Sequence, residues 1–303
     1  MQLKLILNSA IERLTAAQVP SPRMNAELLI MFTLHCDRAY LYAHPERELT
    51  RNEIRRYDEA LARRATGVPA QYITGHQEFW GLDLIVSPSV LIPRPETEHL
   101  VEAVLELESG VDLRQEHGQK PRAGVSAPHG LSGSHRLRIV DVGTGSGAIA
   151  LALASELPAA EIHASDISPE AIEVARANAA QHGLTNRIEF HQADLLNGFS
   201  TASFDFVVSN PPYVGESEEE SVQLEVRKFE PRNAVFAGPT GLEVIERLIP
   251  QALTALRPGG WLVFEISEAI ADRVRGLLLG WEEVTVRNDL QGIERVAVAR
   301  KKS

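Results

Sequence analysis

The alternation of strand-like and helix-like segments after residue 136 constrains the fold of this chain most strongly. Short β-prone runs alternate with longer segments whose apolar side chains recur at helical spacing. The seven predicted strands are 137–142, 161–165, 188–192, 204–209, 261–266, 281–287 and 293–299. This pattern predicts a Rossmann-like, doubly wound α/β sheet that is mostly parallel. Because only residues 288–292 separate the last two strands, too few for a crossover helix, we expect the last strand to run antiparallel.

The first quarter of the chain has a different pattern. Residues 1–75 carry apolar positions at helical spacing, interrupted by several prolines, and predict a small N-terminal helical bundle. Within it, Thr50 followed three residues later by Glu53 predicts a capping box at the start of a helix.

Two further segments connect this bundle to the sheet. Residues 76–108 contain short β-prone pieces, at 79–82, 84–86 and 90–92, and then a helical pattern from 96 to 107. They predict a connecting β-hairpin and a helix. Residues 109–136 are rich in Gly, Ser, Pro and His, and predict a flexible insertion or linker before the α/β domain, 137–303.

Charge and cysteine content narrow the classes of function. The chain has 30 Lys and Arg against 41 Asp and Glu, a net charge of −11, which argues against nucleic-acid binding and favours a protein partner. No apolar run approaches the roughly 18 residues that a membrane helix requires, so we expect no membrane partner. The single cysteine, Cys36, excludes an internal disulfide and a multi-cysteine metal site. It fits a reducing compartment, and we expect a cytoplasmic protein.

A glycine-rich loop follows the first predicted strand of the sheet. Residues 141–147 read Asp-Val-Gly-Thr-Gly-Ser-Gly and open a helix, where backbone N–H groups can approach a ligand. The same residues match a dinucleotide fingerprint, and Asp166 lies at a distance suited to a ribose. The spacing alone therefore does not choose between a dinucleotide and S-adenosylmethionine. Asp141 favours S-adenosylmethionine, because a carboxylate here repels a pyrophosphate but complements an ammonium and a sulfonium.

Polar side chains also follow the next strands. Asp166 ends the second strand and can accept from ribose hydroxyls, and Asp194 follows the third, where it can accept from an adenine amino group or cap the next turn. Glu265 ends the strand 261–266 and can touch the substrate side of the same cleft. Ligands of open α/β sheets bind outside the carboxyl ends of the strands, so these residues should share one cleft. The histidines, His163 and His191 among them, show no metal-ligand spacing, and we predict no metal.

The tetrapeptide Asn210-Pro211-Pro212-Tyr213 follows the apolar strand 204–209. Two prolines remove two backbone donors and fix two φ angles, which leaves carbonyl groups free to accept. The Asn210 side-chain oxygen and a neighbouring carbonyl can hold both hydrogens of a planar NH₂ group, with the Tyr213 ring against the plane. In isolation the tetrapeptide is equally well explained as a rigid turn. Its occurrence beside the glycine loop and two strand-end carboxylates favours a site for an amide or amino nitrogen.

At these motifs the chain resembles the peptide-chain release factor N5-glutamine methyltransferases, the HemK/PrmC family of class I methyltransferases. The segments that carry the resemblance are Leu-Ile-Pro-Arg-Pro-Glu-Thr-Glu at 91–98, then 141–150, 209–213, 229–232 and 238–242. The resemblance implies methyl transfer from S-adenosylmethionine, with S-adenosylhomocysteine as product, to the side-chain amide of the glutamine in the Gly-Gly-Gln motif of class 1 release factors. It makes 137–303 the methyltransferase domain, whose antiparallel last strand fits class I. It also gives the bundle 1–75 and the hairpin a role in docking the release factor. Separately, we expect a monomer.

The resemblance also assigns roles to individual residues. The predicted cofactor-binding residues are Asp141, Gly143, Thr144, Gly145, Ser146, Gly147, Asp166, Asp194, Leu195 and Asn210. Leu195 departs from members that have an aromatic near the adenine, so an aliphatic face is expected there. The predicted substrate-binding residues are Asn210, Pro211, Pro212 and Tyr213, of which Asn210, Pro211 and Tyr213 are also the predicted catalytic residues.

Two alternative functions fit part of this pattern. An adenine-N6 nucleic-acid methyltransferase meets the same NH₂ problem with a similar motif, but the acidic balance and the lack of a basic cluster argue against it. A nicotinamide-dependent oxidoreductase fits the glycine loop, but Asp141 disfavours it and no hydride-handling residue is evident.

Overall fold

The computed structural model describes residues 1–110 and 136–303. Nearly all of the predicted linker, 109–136, therefore lies outside the described residues. The chain divides into two compact units, Met1–His76 with Val222–Phe229, and Gln77–Ser221 with Glu230–Ser303. Residues 222–229, which the sequence assigns to the methyltransferase domain, thus belong to the first unit.

The helices and strands of the described residues follow in chain order. The helices are α1 (Leu3–Ala16), α2 (Pro22–Leu34), α3 (Arg38–Ala43), α4 (Arg51–Ala65), α5 (Ala70–Thr74), α6 (Glu98–Ser109), α7 (Ala148–Glu156), α8 (Pro169–Gln181), α9 (Leu224–Phe229), α10 (Arg232–Val235), α11 (Glu243–Ala255) and α12 (Ala271–Leu277). The strands are β1 (His76–Phe79), β2 (Leu82–Ile85), β3 (Arg138–Val142), β4 (Glu161–Asp166), β5 (Ile188–Gln192), β6 (Phe204–Ser209), β7 (Val214–Gly215), β8 (Phe236–Gly238), β9 (Leu256–Glu265), β10 (Glu282–Asn288) and β11 (Glu294–Arg300).

The first unit is helical, as its periodicity predicts. Helices α1, α2 and α4 bury one apolar face each, including Leu14, Leu29 and Tyr57, around a shared core. The capping box predicted at Thr50 is present, because its hydroxyl accepts from the Glu53 N–H while the Glu53 carboxylate accepts from the Thr50 N–H. Among the described residues, no helix combines the length and apolarity needed to cross a bilayer.

The second unit is built on a seven-stranded sheet in the order β10-β11-β9-β6-β3-β4-β5. Strands β9, β6, β3, β4 and β5 run parallel, and β11 lies antiparallel between β9 and β10. The prediction of a mostly parallel sheet with an antiparallel last strand is confirmed. Alternate residues of the strands point to opposite faces, so Phe206 packs in a core with α6 and α7 while Val207 packs in a second core with α11 and α12.

The hairpin exists, but its predicted strand boundaries are wrong. The predicted piece 79–82 spans the turn between β1 and β2, where Trp80 and Gly81 have φ angles of 53° and 75°. Residues 90–92 form no strand. The helix predicted at 96–107 begins instead with a 3₁₀ turn at Pro95–Thr97 that leads into α6.

Candidate active site

Strand order brings the predicted site residues to one edge of the sheet. Strands β5, β4, β3, β6 and β9 are successive neighbours, and each ends at the same edge because they are parallel. Their carboxyl ends carry Asp194, Asp166, Gly143, Asn210 and Glu265 in that spatial order. Between β3 and β6 the strand order reverses direction, which is the position where open α/β sheets bind ligands.

The glycine loop after β3 is open on one side and packed on the other. Gly143, Gly145 and Gly147 have φ angles of 72°, 55° and 85°, a conformation that favours glycine. A Cβ atom added at Gly143 or Gly145 meets no atom within 4 Å, so there is free space beside both residues. At Gly147 it lies 3.1 Å from Leu151 and 3.2 Å from Ala175, so a side chain here would crowd α7 and α8. The free space is where a ligand can approach the loop backbone.

Asp141 is fully buried beneath this loop. Its Oδ2 accepts from the Thr144 hydroxyl at 2.6 Å and from the Ala150 N–H at 3.2 Å, while its buried Oδ1 has no partner among the described residues. Burial raises the pKa of Asp141 to about 7, and the two hydrogen bonds oppose that shift. An unpartnered carboxylate oxygen suits a cationic donor, so the residues present fit the ammonium of S-adenosylmethionine.

The other two strand-end carboxylates are already engaged. Asp166 accepts from the N–H groups of Gly145 and Ser168, both at 2.9 Å, and burial raises its pKa. It therefore joins the end of β4 to the glycine loop. Asp194 forms an ion pair with Arg247, and both side chains are exposed to solvent. The carbonyl of Leu195, a residue with a φ of 56°, accepts from the Ser165 hydroxyl at 3.1 Å.

A chain of hydrogen bonds surrounds the side chain of Asn210. Its Nδ2 donates to Thr97 Oγ1 at 3.0 Å, and the Thr97 hydroxyl donates to Glu265 Oε2 at 2.7 Å. The Tyr213 hydroxyl donates to the other oxygen, Glu265 Oε1, at 2.8 Å. Neither Asn210 Oδ1 nor the Pro211 carbonyl accepts a hydrogen bond from any residue in the described ranges. Two acceptors of the predicted substrate site are thus available.

Thr97 is a site residue that the sequence analysis does not identify. It lies 113 residues before Asn210, in the 3₁₀ turn before α6. The only signal for it is its place in the family-like segment 91–98. Glu230 joins the same segment to another, because its buried carboxylate accepts from the Ile92 N–H at 3.1 Å and from Arg94 at 2.6 Å.

A close backbone approach supports the tetrapeptide from behind. A Cβ atom added at Gly241, whose φ is 81°, lies only 2.6 Å from the Tyr213 carbonyl oxygen. Strands β7 and β8 pair beside this contact. The segment 238–242, which carries part of the family resemblance, therefore shapes the backbone at Tyr213.

Three titratable groups gather on the neighbouring strands β4 and β5. One nitrogen each of His163 and His191 and a carboxylate oxygen of Glu189, all atoms of a kind that can bind a metal ion, lie within 4.8 Å of one another. The two histidine nitrogens are 3.1 Å apart and the rings are within 23° of parallel with centroids 5.4 Å apart, so the nitrogens face each other along the ring planes. That is the geometry of an N–H···N hydrogen bond, and Glu161 pairs with the other nitrogen of His163 at 2.8 Å. Hydrogen bonding within the cluster therefore accounts for this arrangement.

Comparisons with known proteins agree with this geometry. Residues 6–75 match the model of the PrmC N-terminal domain, and residues 129–228 match that of the methyltransferase small domain. The release factor glutamine methyltransferase of Koribacter versatilis is 52% identical over 302 residues, which is 99% of both chains. That of Nitratidesulfovibrio vulgaris is 38% identical and covers 99% of this chain and 95% of its own.

Among solved structures, the hMettl16 catalytic domain in complex with MAT2A 3'UTR hairpin 1 has a TM-score of 0.54. It is 18% identical and covers 81% of each chain. At that identity the likeness shows the fold alone, and it agrees with the class I sheet described above.

Proposed function

This chain belongs to the release factor glutamine methyltransferases, and from that premise we propose that it methylates the side-chain amide nitrogen, N5, of the glutamine in the Gly-Gly-Gln motif of class 1 release factors. The observation that carries the proposal is the pair of free acceptors, Asn210 Oδ1 and the Pro211 carbonyl, at the carboxyl edge of the sheet. Two acceptors match the two hydrogens of a primary amide.

S-adenosylmethionine would occupy the neighbouring part of the same edge. S-adenosylmethionine supplies a methyl group on a positively charged sulfur, which makes it electrophilic. The loop 143–147 would hold the methionine end, with Asp141 as the partner of the ammonium. Asp166, which also accepts from two backbone N–H groups, would accept from the ribose hydroxyls, Asp194 would lie at the adenine, and Leu195 would give an aliphatic contact to that ring. The open space at Gly143 and Gly145 supports this assignment.

The amide nitrogen needs help because its lone pair is delocalised into the carbonyl. Asn210 Oδ1 and the Pro211 carbonyl accept its two N–H groups and direct the lone pair toward the methyl group, while Pro212 keeps the backbone rigid and the Tyr213 ring packs on the amide plane. Orientation of this kind recovers roughly 7 to 11 kcal/mol of a barrier. The same acceptors stabilise the positive charge that develops on nitrogen. We assign no general base.

Asn210→Ala tests the catalytic role. Because the variant removes one of the two acceptors, we expect methyl transfer to a release factor to fall on the order of 100-fold, with S-adenosylmethionine binding retained. Initial rates with methyl-labelled cofactor measure the first quantity, and calorimetry measures the second. Asn186→Ala is the matched control, because Asn186 is exposed before β5, at the opposite edge of the sheet. Near-normal turnover by Asn210→Ala contradicts the assignment.

The same labelled cofactor tests the substrate class. Wild-type protein should label a release factor and not DNA or RNA, and label on nucleic acid alone would favour the adenine-N6 alternative. We further infer that the first unit docks the release factor, which its match to the PrmC N-terminal domain supports. A monomeric state and a cytoplasmic location stay predictions.

A further inference from the structure

We infer that Thr97 and Glu265 are positioning residues that hold the Asn210 amide in one orientation and so make the site select a primary amide over a carboxylate. This inference rests on the proposed function, because it concerns how the same site distinguishes glutamine from glutamate. It begins from the hydrogen-bonded chain Asn210–Thr97–Glu265–Tyr213, in which every side chain belongs to the second unit.

The direction of each hydrogen bond follows from Glu265. An ionised carboxylate only accepts, so the Thr97 hydroxyl must donate its single proton to Glu265 Oε2. Thr97 Oγ1 then offers only lone pairs to Asn210, which must turn its NH₂ group toward it. An asparagine amide can otherwise be reversed without changing its shape. Here the Glu265 carboxylate, which reaches Asn210 through two successive hydrogen bonds, determines which end of the Asn210 amide faces Thr97.

Tyr213 strengthens this arrangement from the other side. Its hydroxyl occupies Glu265 Oε1, so both oxygens of the carboxylate are committed. Glu265 is 2% exposed, and burial raises its pKa, while the hydrogen bonds from Thr97 and Tyr213 oppose that shift by favouring the ionised form. With both oxygens occupied and water largely excluded, the group is held in place to orient its neighbours.

The consequence is an acceptor in a fixed place. Asn210 Oδ1 is turned away from Thr97 and, with the Pro211 carbonyl, forms a site made only of acceptors. A glutamine amide satisfies both acceptors with its two N–H groups. A glutamate carboxylate has no proton to give and leaves them unpaired, and sites of this kind reject such an analogue by roughly 10⁴-fold. The same arrangement presents nitrogen rather than oxygen to the methyl group.

Three variants test the positioning role. Thr97→Val removes the hydroxyl at constant shape, and we expect kcat to fall on the order of 10- to 100-fold with cofactor affinity unchanged. Thr97→Ser keeps the hydroxyl and should stay within about 3-fold of wild type. Glu265→Gln introduces an NH₂ group that can donate to Thr97, whose hydroxyl is then free to donate to Asn210 Oδ1 and reverse the amide. Because the two residues act in series, the effects of Thr97→Val and Glu265→Gln should not add in a double mutant.

The decisive measurement is selectivity. We would measure the inhibition constant of a release factor that carries Gly-Gly-Glu and divide it by the KM of the same factor with its Gly-Gly-Gln loop. Glu265→Gln should narrow this ratio by about 10-fold or more, because a reversed Asn210 offers a donor to a carboxylate. If the role of Glu265 were merely structural, Glu265→Gln would weaken the binding of both forms of the release factor equally and leave the ratio unchanged. Thermal unfolding and cofactor binding check that each variant is folded.

The outcomes separate this inference from the proposed function. If wild-type protein does not methylate the glutamine, the proposed function fails. If wild-type protein methylates the glutamine, but Thr97→Val has the same kcat as Thr97→Ser and Glu265→Gln leaves the ratio unchanged, the positioning role is overturned. If Thr97→Val does not fold, the ratio for Glu265→Gln decides alone.

Discussion

At the scale of single residues, Asp141 links the cofactor site to pH. Its pKa is raised to about 7 because the carboxylate is fully buried, and its Oδ1 has no partner among the described residues. The sequence predicts a charge that complements the cofactor. It does not predict that this charge is only half developed near neutral pH, because burial at this point depends on residues packed from β4, β6 and α7.

We therefore predict that S-adenosylmethionine binding releases a proton. Its ammonium favours the ionised form of Asp141, so near pH 7 about half of the molecules must lose a proton on binding. Affinity should weaken as the pH falls below 7. Calorimetry in two buffers of different ionisation enthalpy measures the released proton, and Asp141→Asn should abolish it. Equal release by that variant would place the titrating group elsewhere.

The unliganded protein should show the matching change in stability. Because the folded-state pKa of Asp141 lies above its usual value of 3.8, the folded state binds the proton more tightly than the unfolded state. The contribution of this group to stability is therefore fully present below about pH 4 and is lost as the pH rises through about 7. Asp141→Asn should remove this dependence.

At the scale of elements, sequence reasoning succeeds where a period is long enough to see. The seven strands predicted for the sheet correspond to β3, β4, β5, β6, β9, β10 and β11, and their order brings the strand-end motifs together. Strands β7 and β8 have two and three residues and show no period, so the sequence does not reveal them. The sequence does not reveal Thr97 for another reason. Its partner Asn210 lies 113 residues away, and only tertiary packing brings the two into contact.

Gly241 shows how such a short element acts on the site. Gly241→Ala places a methyl group 2.6 Å from the Tyr213 carbonyl oxygen and so must displace the backbone beside the tetrapeptide. We expect methyl transfer to fall on the order of 100-fold, since a shift of about 1 Å at a reacting group has that effect.

Gly292→Ala is the matched control for that substitution. Gly292 has a φ of 82°, against 81° at Gly241, but an added Cβ there meets nothing within 4 Å. Both variants place alanine at nearly the same φ, so their difference in rate reports on the contact with Tyr213. Equal rates for the two variants would show that the contact does not shape the site.

At the scale of the whole molecule, one short segment belongs to a unit whose other residues are far from it along the chain. The chain leaves the second unit after Ser221, contributes residues 222–229 to the first, and returns at Glu230. Arg64 explains the attachment of this segment, because its nearly buried guanidinium pairs with Glu225 at 2.7 Å and also donates to Asn25 and the Val68 carbonyl. No local pattern in the sequence marks such a pairing across 161 residues of chain.

Glu225→Gln should therefore loosen the first unit selectively. The variant leaves the Arg64 guanidinium, 4% exposed, beside a neutral amide. Asn25 and Val68 still bind the guanidinium, so we expect a loss of about 2 kcal/mol in local stability, which is about 30-fold faster hydrogen exchange in α4 and in 222–229.

Glu59→Gln is the control, because Glu59 pairs with Arg55 on the surface and both side chains are more than 60% exposed. That variant should change exchange little, since surface pairs contribute less than about 1 kcal/mol. Exchange mass spectrometry resolves the two units, and α7 should be unaffected in both variants. Unchanged exchange in 222–229 would mean that Arg64 does not hold the segment, and faster exchange in α7 would mean that its effect is not confined to the first unit.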